Sequence, residues 1–353
     1  LGDYGKVVTG NTPPTKDIEN YENGTYLWAS PADLGTIKSI TETKTMLSAQ
    51  GFSKTRTLPK GSVLVTCIGS TIGKTGMATK EMSTNQQINS IVVNDNNDNE
   101  FVYYAIQSAF PRYLSSIAVQ AVPIISKSAF ELLPNNRPYL QEQKKIGKFL
   151  SLLDERIATQ NKIIEDLKKL KSAISENLFK EVKGDVVMLS EICEISKGKQ
   201  INGEFLSEKG KYYVMNGGTE PSGYYNNYNV EANTISISEG GNSCGYVQFN
   251  TSPFWSGGHC YTIQEIADNV DNLYLYHFLK SKEDAIMKLR IGSGLPNIQK
   301  KDLAMFKIKI PTVEQQKAIS TFLSSLERKA EIEERIQNAM QKEKQYLLRQ
   351  MFI

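Results

Sequence analysis

The sequence predicts an α+β protein: two globular mixed α/β blocks separated by two long antiparallel helices paired as a coiled coil, the whole a pseudo-twofold internal repeat. Three observations lead there. Residues 141 to 154 read QEQKKIGKFLSLLD and residues 314 to 327 read EQQKAISTFLSSLE, so that Gln143, Lys144, Ile146, Phe149, Leu150, Ser151 and Leu153 recur 173 positions on as Gln316, Lys317, Ile319, Phe322, Leu323, Ser324 and Leu326. The same offset pairs Phe179 with Phe352. Ahead of each copy lies a long stretch of short apolar runs bounded by Gly, Pro and Asn, the pattern of strands and turns.

Residues 1–138 form the first block, with strands expected at Tyr26–Ser30, Ser62–Ile68 and Ile88–Val93. Helical spacing of Tyr, Ile and Phe over Phe101–Leu114 predicts a helix that ends at Pro111 or soon after. Residues 139–183 are the first rod. Alternate steps of four and three give the seam Ile146, Leu150, Leu153, Ile157, Gln160, Ile164, Leu167, Lys171, Ile174 and Leu178. Only Gly147 weakens it, and about 39 residues at ~1.5 Å each make a rod of roughly 58 Å. Lys183-Gly184-Asp185 stops it.

Residues 184–311 form the second block, with strands expected at Lys211–Met215, Thr234–Ser238, Tyr246–Phe249 and Cys260–Ile263, and a helix at Asn272–Leu279. Residues 312–353 are the second rod, with seam positions Ile319, Leu323, Leu326, Ala330, Glu333, Gln337, Met340, Lys344, Leu347 and Met351. The repeat enters the blocks as well. Gly69 and Gly73 match Gly241 and Gly245 at 172, and Pro123, Ile125 and Lys127 match Pro296, Ile298 and Lys300 at 173. Between these anchors the blocks share little, which suggests one fold used twice to read two different things. Each block precedes its own rod, and the second block follows the first rod closely; antiparallel rods satisfy both facts and place the blocks at opposite ends.

Composition excludes several classes. With 40% hydrophobic and 22% charged residues the 353-residue chain is neither disordered nor fibrous. No apolar run approaches the roughly 20 residues that cross a bilayer, and no basic, apolar leader opens the chain, so no membrane partner and a cytoplasmic location are expected. Cys67, Cys193, Cys244 and Cys260 lack CxxC spacing and only His259 and His277 accompany them, so structural thiols are expected rather than a zinc site. The net charge of +3 does not announce nucleic acid by itself.

Catalytic motifs are approached and missed. Gly69-Ser70-Thr71-Ile72-Gly73-Lys74-Thr75 resembles a phosphate-binding loop, yet it has three residues between the glycines where four are needed, and the second copy, Gly241 to Tyr246, lacks the lysine. Asn11-Thr12-Pro13-Pro14 has the residues of an adenine-methyltransferase motif in the wrong order and without its aromatic. No Gly-rich cofactor loop follows a strand. His259-Cys260 has no acid partner in sight, and Asp154-Glu155 lies on a rod where a solvated face is the default. What remains suits binding. Asn, Gln, Ser, Thr and Gly crowd the loops at 83–87, 216–218, 224–227 and 256–259, where amides can address adenine edges and glycine lets backbone approach, though a polar loop is often only a loop.

At this point the whole chain resembles the specificity subunit of a type I restriction-modification enzyme. The residues that carry the likeness are Gly10-x-Thr12-Pro13, Trp28-x-Ser30-x-x-Asp33-Leu34, Gly69-x-x-x-Gly73-Lys74 followed by Asn85-Gln86-Gln87, the twice-used Pro-x-Ile-x-Lys, and Pro138 and Pro311 leading into the Gln-Lys-x-Ile rods. The resemblance implies two target-recognition domains, each reading half of a split sequence in double-stranded DNA, and no catalysis in this chain. It also implies two methyltransferase (modification) subunits and restriction (motor and nuclease) subunits as partners, which bring S-adenosylmethionine and ATP. A free-standing sequence-specific DNA-binding regulator is the alternative. Residues expected on DNA are Thr12, Lys16, Ser30, Ser70, Thr71, Lys74, Asn85, Gln86, Gln87, Gln120 and Lys127 in the first block. In the second they are Lys199, Asn216, Asn226, Asn242, Ser243, Tyr246, His259, Ser293, Asn297 and Lys300. Two departures stand out: Gly257-Gly258-His259 lies near the place of Asn85-Gln86-Gln87 without matching it, and the sequence starts at the match of Leu189, as if residues equivalent to 185–188 were absent.

Overall fold

The computed structural model describes every residue except 36, 117–122, 293, 295 and 353. Two helices dominate, Leu140–Glu181 of 42 residues and Val313–Met351 of 39. At ~1.5 Å per residue the first is about 63 Å long. The chain divides into two compact units, Leu1–Asn161 with Ile336–Ile353, and Lys162–Arg335. Each unit therefore holds one block, half of its own rod and half of the other.

In the first unit the main sheet runs Gly5–Thr9, Ile88–Val93, Val63–Thr66, Thr75–Ala78 and Ser39–Ile40 in spatial order, antiparallel except at its last pair. A second sheet orders Thr45–Leu47, Tyr26–Ala29, Met82–Thr84 and Thr57–Leu58. The second unit repeats the plan. Its four-stranded sheet orders Glu194–Lys197, Cys260–Gln264, Thr234–Ser238 and Val247–Asn250. Tyr212–Met215 pairs in parallel with Trp255–Ser256 as Tyr26–Ala29 pairs in parallel with Met82–Thr84. An additional pair, Asp185–Met188 with Lys307–Ile310, belongs to the second unit.

All the expected strands form, Ile88–Val93 and Thr234–Ser238 as expected and the others with one or both ends shifted by one or two residues. The helix expected at Phe101–Leu114 runs Asn99–Ser116 and contains Pro111. Proline removes one helical hydrogen bond, but Phe110 and Tyr113 on either side of it are buried and hold the last turns in place.

The rods are amphipathic, and each core takes a side chain from both. In the first unit Leu150 of the first rod and Phe352 just past the second are buried in one cluster with Phe101, 5.4 Å from the Phe352 ring. In the second unit Leu323 and Phe179 do the same, with Phe179 5.7 Å from Tyr274. Within each unit the rods run antiparallel. Lys344 Nζ lies 2.5 Å from Asp154 in the first unit, and Lys171 Nζ lies 2.7 Å from Glu327 in the second. These four residues are two pairs 173 apart. Each carboxylate also accepts a tyrosine hydroxyl from its block, Tyr104 at 2.6 Å and Tyr276 at 3.1 Å. The polar breaks at Lys171 and Lys344 in the seam are thus ion-pair positions.

His277 is buried beside that junction, with Nε2 2.9 Å from Ser324 Oγ. Burial pulls its pKa down to about 4, the Glu327 carboxylate opposing the shift. The unfolded chain then binds a proton near pH 6.5 that the folded chain refuses, so this histidine costs nothing above that pH and stability is lost as pH falls toward 4. Wild type is expected to lose roughly 2 kcal/mol more than H277Q between pH 7 and pH 5. Urea unfolding of both proteins at the two pH values measures it, and equal losses would sink the assignment.

Candidate nucleic-acid interface

Each block presents the same loop frame, built by backbone hydrogen bonds that repeat at offsets of 172 or 173. The Gly69 N–H donates to Pro123 O, Ile72 to Gly69, Gly73 to Thr66 and Lys74 to Thr71. In the second block Gly241 donates to Pro296, Cys244 to Gly241, Gly245 to Ser238 and Tyr246 to Ser243. Pro-x-Ile-x-Lys is the clamp on this loop: its isoleucine N–H, Ile125 or Ile298, donates at 2.8 Å to Cys67 O or Glu239 O just before the loop. The glycines are required, because Gly69, Gly73, Gly241 and Gly245 all have φ between 76° and 93°. Four of the N–H groups that a phosphate-cradling loop could turn on its ligand, those of Gly69, Ile72, Gly73 and Lys74, are spent on carbonyls. Lys74 instead lays its stem over Gly35 and leaves its ammonium exposed.

The second loop pair is also equivalent, which answers the question left open by sequence. Asn85 N–H donates to Ala29 O and Ile88 N–H to Asn85 O; Gly257 donates to Met215 and Cys260 to Gly257. Asn85-Gln86-Gln87 and Gly257-Gly258-His259 therefore occupy one place in the fold with different chemistry. In the first block Asn85 is buried and holds Gln87 through both its N–H and its side chain. Exposed Gln86 accepts the Thr12 hydroxyl, and the Gln87 amide lies over Gly69. In the second block the Asn216 carboxamide accepts the His259 N–H at 3.1 Å, filling space that a Cβ on Gly257 would occupy.

The structure thus gathers Thr12, Gln86, Gln87 and the Gly69 loop in one block, and Asn216, His259 and the Gly241 loop in the other. Ser70 and Asn242 are exposed at the loop tips, Thr71 and Ser243 half-buried behind them. Several other expected residues already have work. The Ser30 hydroxyl bonds Asp33, Lys127 pairs with Glu131 at 3.7 Å, Tyr246 carries the Lys280 ammonium 4.0 Å from its ring centre, and Asn297 accepts from Gln299. Lys199 lends its carbonyl to Trp255 and keeps its ammonium exposed. Lys16, Asn226 and Lys300 are exposed. Gln120 and Ser293 lie outside the described residues.

Sequence reasoning missed three charged residues here. Exposed Arg56 donates to Thr9 O at 2.8 Å beside Asn11. In the second block Glu239, buried, takes the Lys197 ammonium at 2.6 Å and a contact with the Tyr261 hydroxyl at 3.1 Å on Oε1, while His259 Nδ1 lies 3.6 Å from Oε2. No motif surrounds them; Lys197 and Glu239 are brought together by strand pairings, Lys197 with Tyr261 and Ser238 with Cys260. The thiols are buried or half-buried and burial raises them, Cys67 and Cys193 to about 12 and Cys260 to about 11, so none is a nucleophile at neutral pH. Among the described residues no helix is long and apolar enough to cross a membrane.

A family model described as the type I restriction modification DNA specificity domain matches residues 1–169 and 181–342. A putative type I specificity subunit of Mycoplasma pneumoniae is 34% identical over 158 residues, 44% of this chain and 40% of that protein. The chain therefore aligns with less than half the length of that relative. The MjaVIII type I restriction enzyme specificity subunit of Methanocaldococcus jannaschii is 26% identical over 317 residues, covering 78% of this chain and 73% of that one. The crystal structure of a type I restriction-modification system S subunit from M. genitalium superposes with a TM-score of 0.69 at 20% identity, over 99% of this chain and 93% of that one, a likeness of fold.

Proposed function

We propose, from the premise that the chain belongs to the type I restriction modification DNA specificity family, that it is the non-catalytic subunit that reads a bipartite sequence in double-stranded DNA. The observation that carries this reading is the repeated loop frame with unlike side chains. Amides stand at 85–87 where glycines and a histidine stand at 257–259, and Lys74 stands where Tyr246 does. A frame conserved between blocks while its chemistry differs is what two half-sites of different sequence require.

The length of the rods supports a spacer role between the half-sites. A helix of about 63 Å exceeds one DNA turn of ~34 Å, so half-sites a turn apart on one face of the duplex are within reach. The rods also carry exposed apolar side chains, Phe149 and Leu152 in the first unit and Phe322 and Ile332 in the second, where methyltransferase subunits would dock. S-adenosylmethionine and ATP belong to those modification subunits and to the restriction subunits. The blocks would act in a cytoplasmic complex.

Host methylation tests this. Deleting the chain should abolish one bipartite pattern of adenine methylation, and an unchanged methylome would overturn the reading. Within the complex, Lys74→Ala or Lys300→Ala should weaken binding about equally for all sequences and lower the salt slope by about 1. Gln86→Ala or Asn242→Ala should instead relax a single half-site, roughly tenfold per lost base contact.

A further inference from the structure

We propose that Lys197, Glu239 and His259 read a G·C base pair in the second half-site, with Glu239 as the positioning residue beneath the two readers. This deepens the function above and rests on it. The Glu239 side chain is 10% exposed, whereas those of Lys197 and His259 are 51% and 63% exposed. A buried carboxylate thus stands under two side chains that reach solvent beside the Gly241 loop, two residues ahead of Gly241. Its two oxygens are divided: Oε1 holds Lys197 and Tyr261, and Oε2, without a hydrogen-bond partner, faces His259. Tyr261 is tied off below, its hydroxyl within 3.1 Å of Ile298 O as well.

Charge decides what such a cluster can bind. Lys197 and Glu239 cancel, so the site draws phosphate weakly and its value lies in directed hydrogen bonds. The carboxylate 3.6 Å from Nδ1 favours the tautomer with its proton there, which leaves Nε2 as the acceptor of an exposed ring. The lysine offers donors. A donor next to an acceptor complements the major-groove edge of a G·C pair, with guanine O6 and N7 for Lys197 and the cytosine amine for His259. The first block holds different chemistry at the same places. Cys67 stands where Glu239 does, each giving its carbonyl to the clamping isoleucine, and Gln87 stands where His259 does, each accepting at its carbonyl the N–H of Cys67 or Glu239. The G·C reader is therefore confined to the second block.

The experiment replaces the chain in its host with Glu239→Gln, Glu239→Asp, Lys197→Met or His259→Ala and reads the methylated motif. Glu239→Gln keeps the shape and removes the charge. It should lower discrimination at one G·C position of one half-site roughly tenfold, as Lys197→Met does at the same position, while Glu239→Asp retains more of it than Gln does. The other half-site should be unaltered. An unchanged motif in all four variants, relaxation at an A·T position, or equal loss in both half-sites would overturn the proposal. If deleting the whole chain leaves the methylome unchanged, the failure lies with the DNA-reading function itself.

Discussion

Phe179→Ala is expected to lower the stability of the second unit by about 3–5 kcal/mol, the range for removing a buried phenylalanine, and Phe352→Ala to do the same to the first. Phe179 is 1% exposed and Phe352 9% exposed, each among the aromatic side chains of a block. The effect is crossed with respect to sequence. Phe179 ends the rod that begins in the first unit, yet its ring fills the core of the second. The chain's two tryptophans separate the units, Trp28 in the first and Trp255 in the second. In Trp28→Phe and Trp255→Phe backgrounds the remaining indole reports one unit alone. With a urea slope of about 2 kcal/mol per molar, each phenylalanine variant should shift the midpoint of its own unit by about 2 M and the other by much less. Equal shifts in both would mean that each phenylalanine serves the rods and not a block.

That reciprocity was visible in sequence as a bare coincidence, Phe179 and Phe352 at the same offset as the rods. Long elements are legible because a helix of 39 or 42 residues repeats its seam many times, and an error at one position is outvoted by the rest. Short elements lack that redundancy. Thr75–Ala78 reads Thr-Gly-Met-Ala, with little preference for a strand, and is one because Val63–Thr66 pairs with it. Its Gly76 leaves room for Ile40, whose Cδ1 would stand 3.0 Å from an added Cβ. The candidate site divides the same way. The glycine loops announced themselves through backbone conformations that few other residues adopt. Glu239 did not, because Lys197 and His259 reach it across strand pairings of long sequence separation, and nothing near it in sequence marks a carboxylate that will be buried.

The duplicated glutamine of the rods was equally legible as a letter and opaque as a role. Gln143 Oε1 accepts the Asp98 N–H at 3.0 Å, and its Nε2 donates to Pro138 O at 2.9 Å and Asn97 Oδ1 at 3.2 Å. Gln316 Oε1 accepts the Asp271 N–H at 2.8 Å, and its Nε2 donates to Pro311 O at 2.9 Å and Asn269 O at 3.0 Å. Asp98 and Asp271 in turn accept from the N–H of Phe101 and Tyr274 at the start of a block helix. One carboxamide thus fastens the rod, the proline that leads into it and the block helix, and both copies are at most 1% exposed. Gln316→Leu keeps the volume but leaves the buried Pro311 carbonyl and the half-buried Asp271 N–H without their partner, while water can replace the bond to exposed Asn269. At about 1–3 kcal/mol for each of the two orphans, partly relieved by relaxation, the expected loss is roughly 3 kcal/mol in the second unit. Gln316→Glu should cost more, since it retains the acceptor for Asp271 but turns a buried negative oxygen on two carbonyls. Amide exchange at Asp271 and Tyr274 should accelerate in both variants, and a slow Asp271 amide in Gln316→Leu would show that another group had taken over the junction. Gln143→Leu should speed exchange at Asp98 and Phe101 in the same manner. The two substitutions share no partner, so their costs should add.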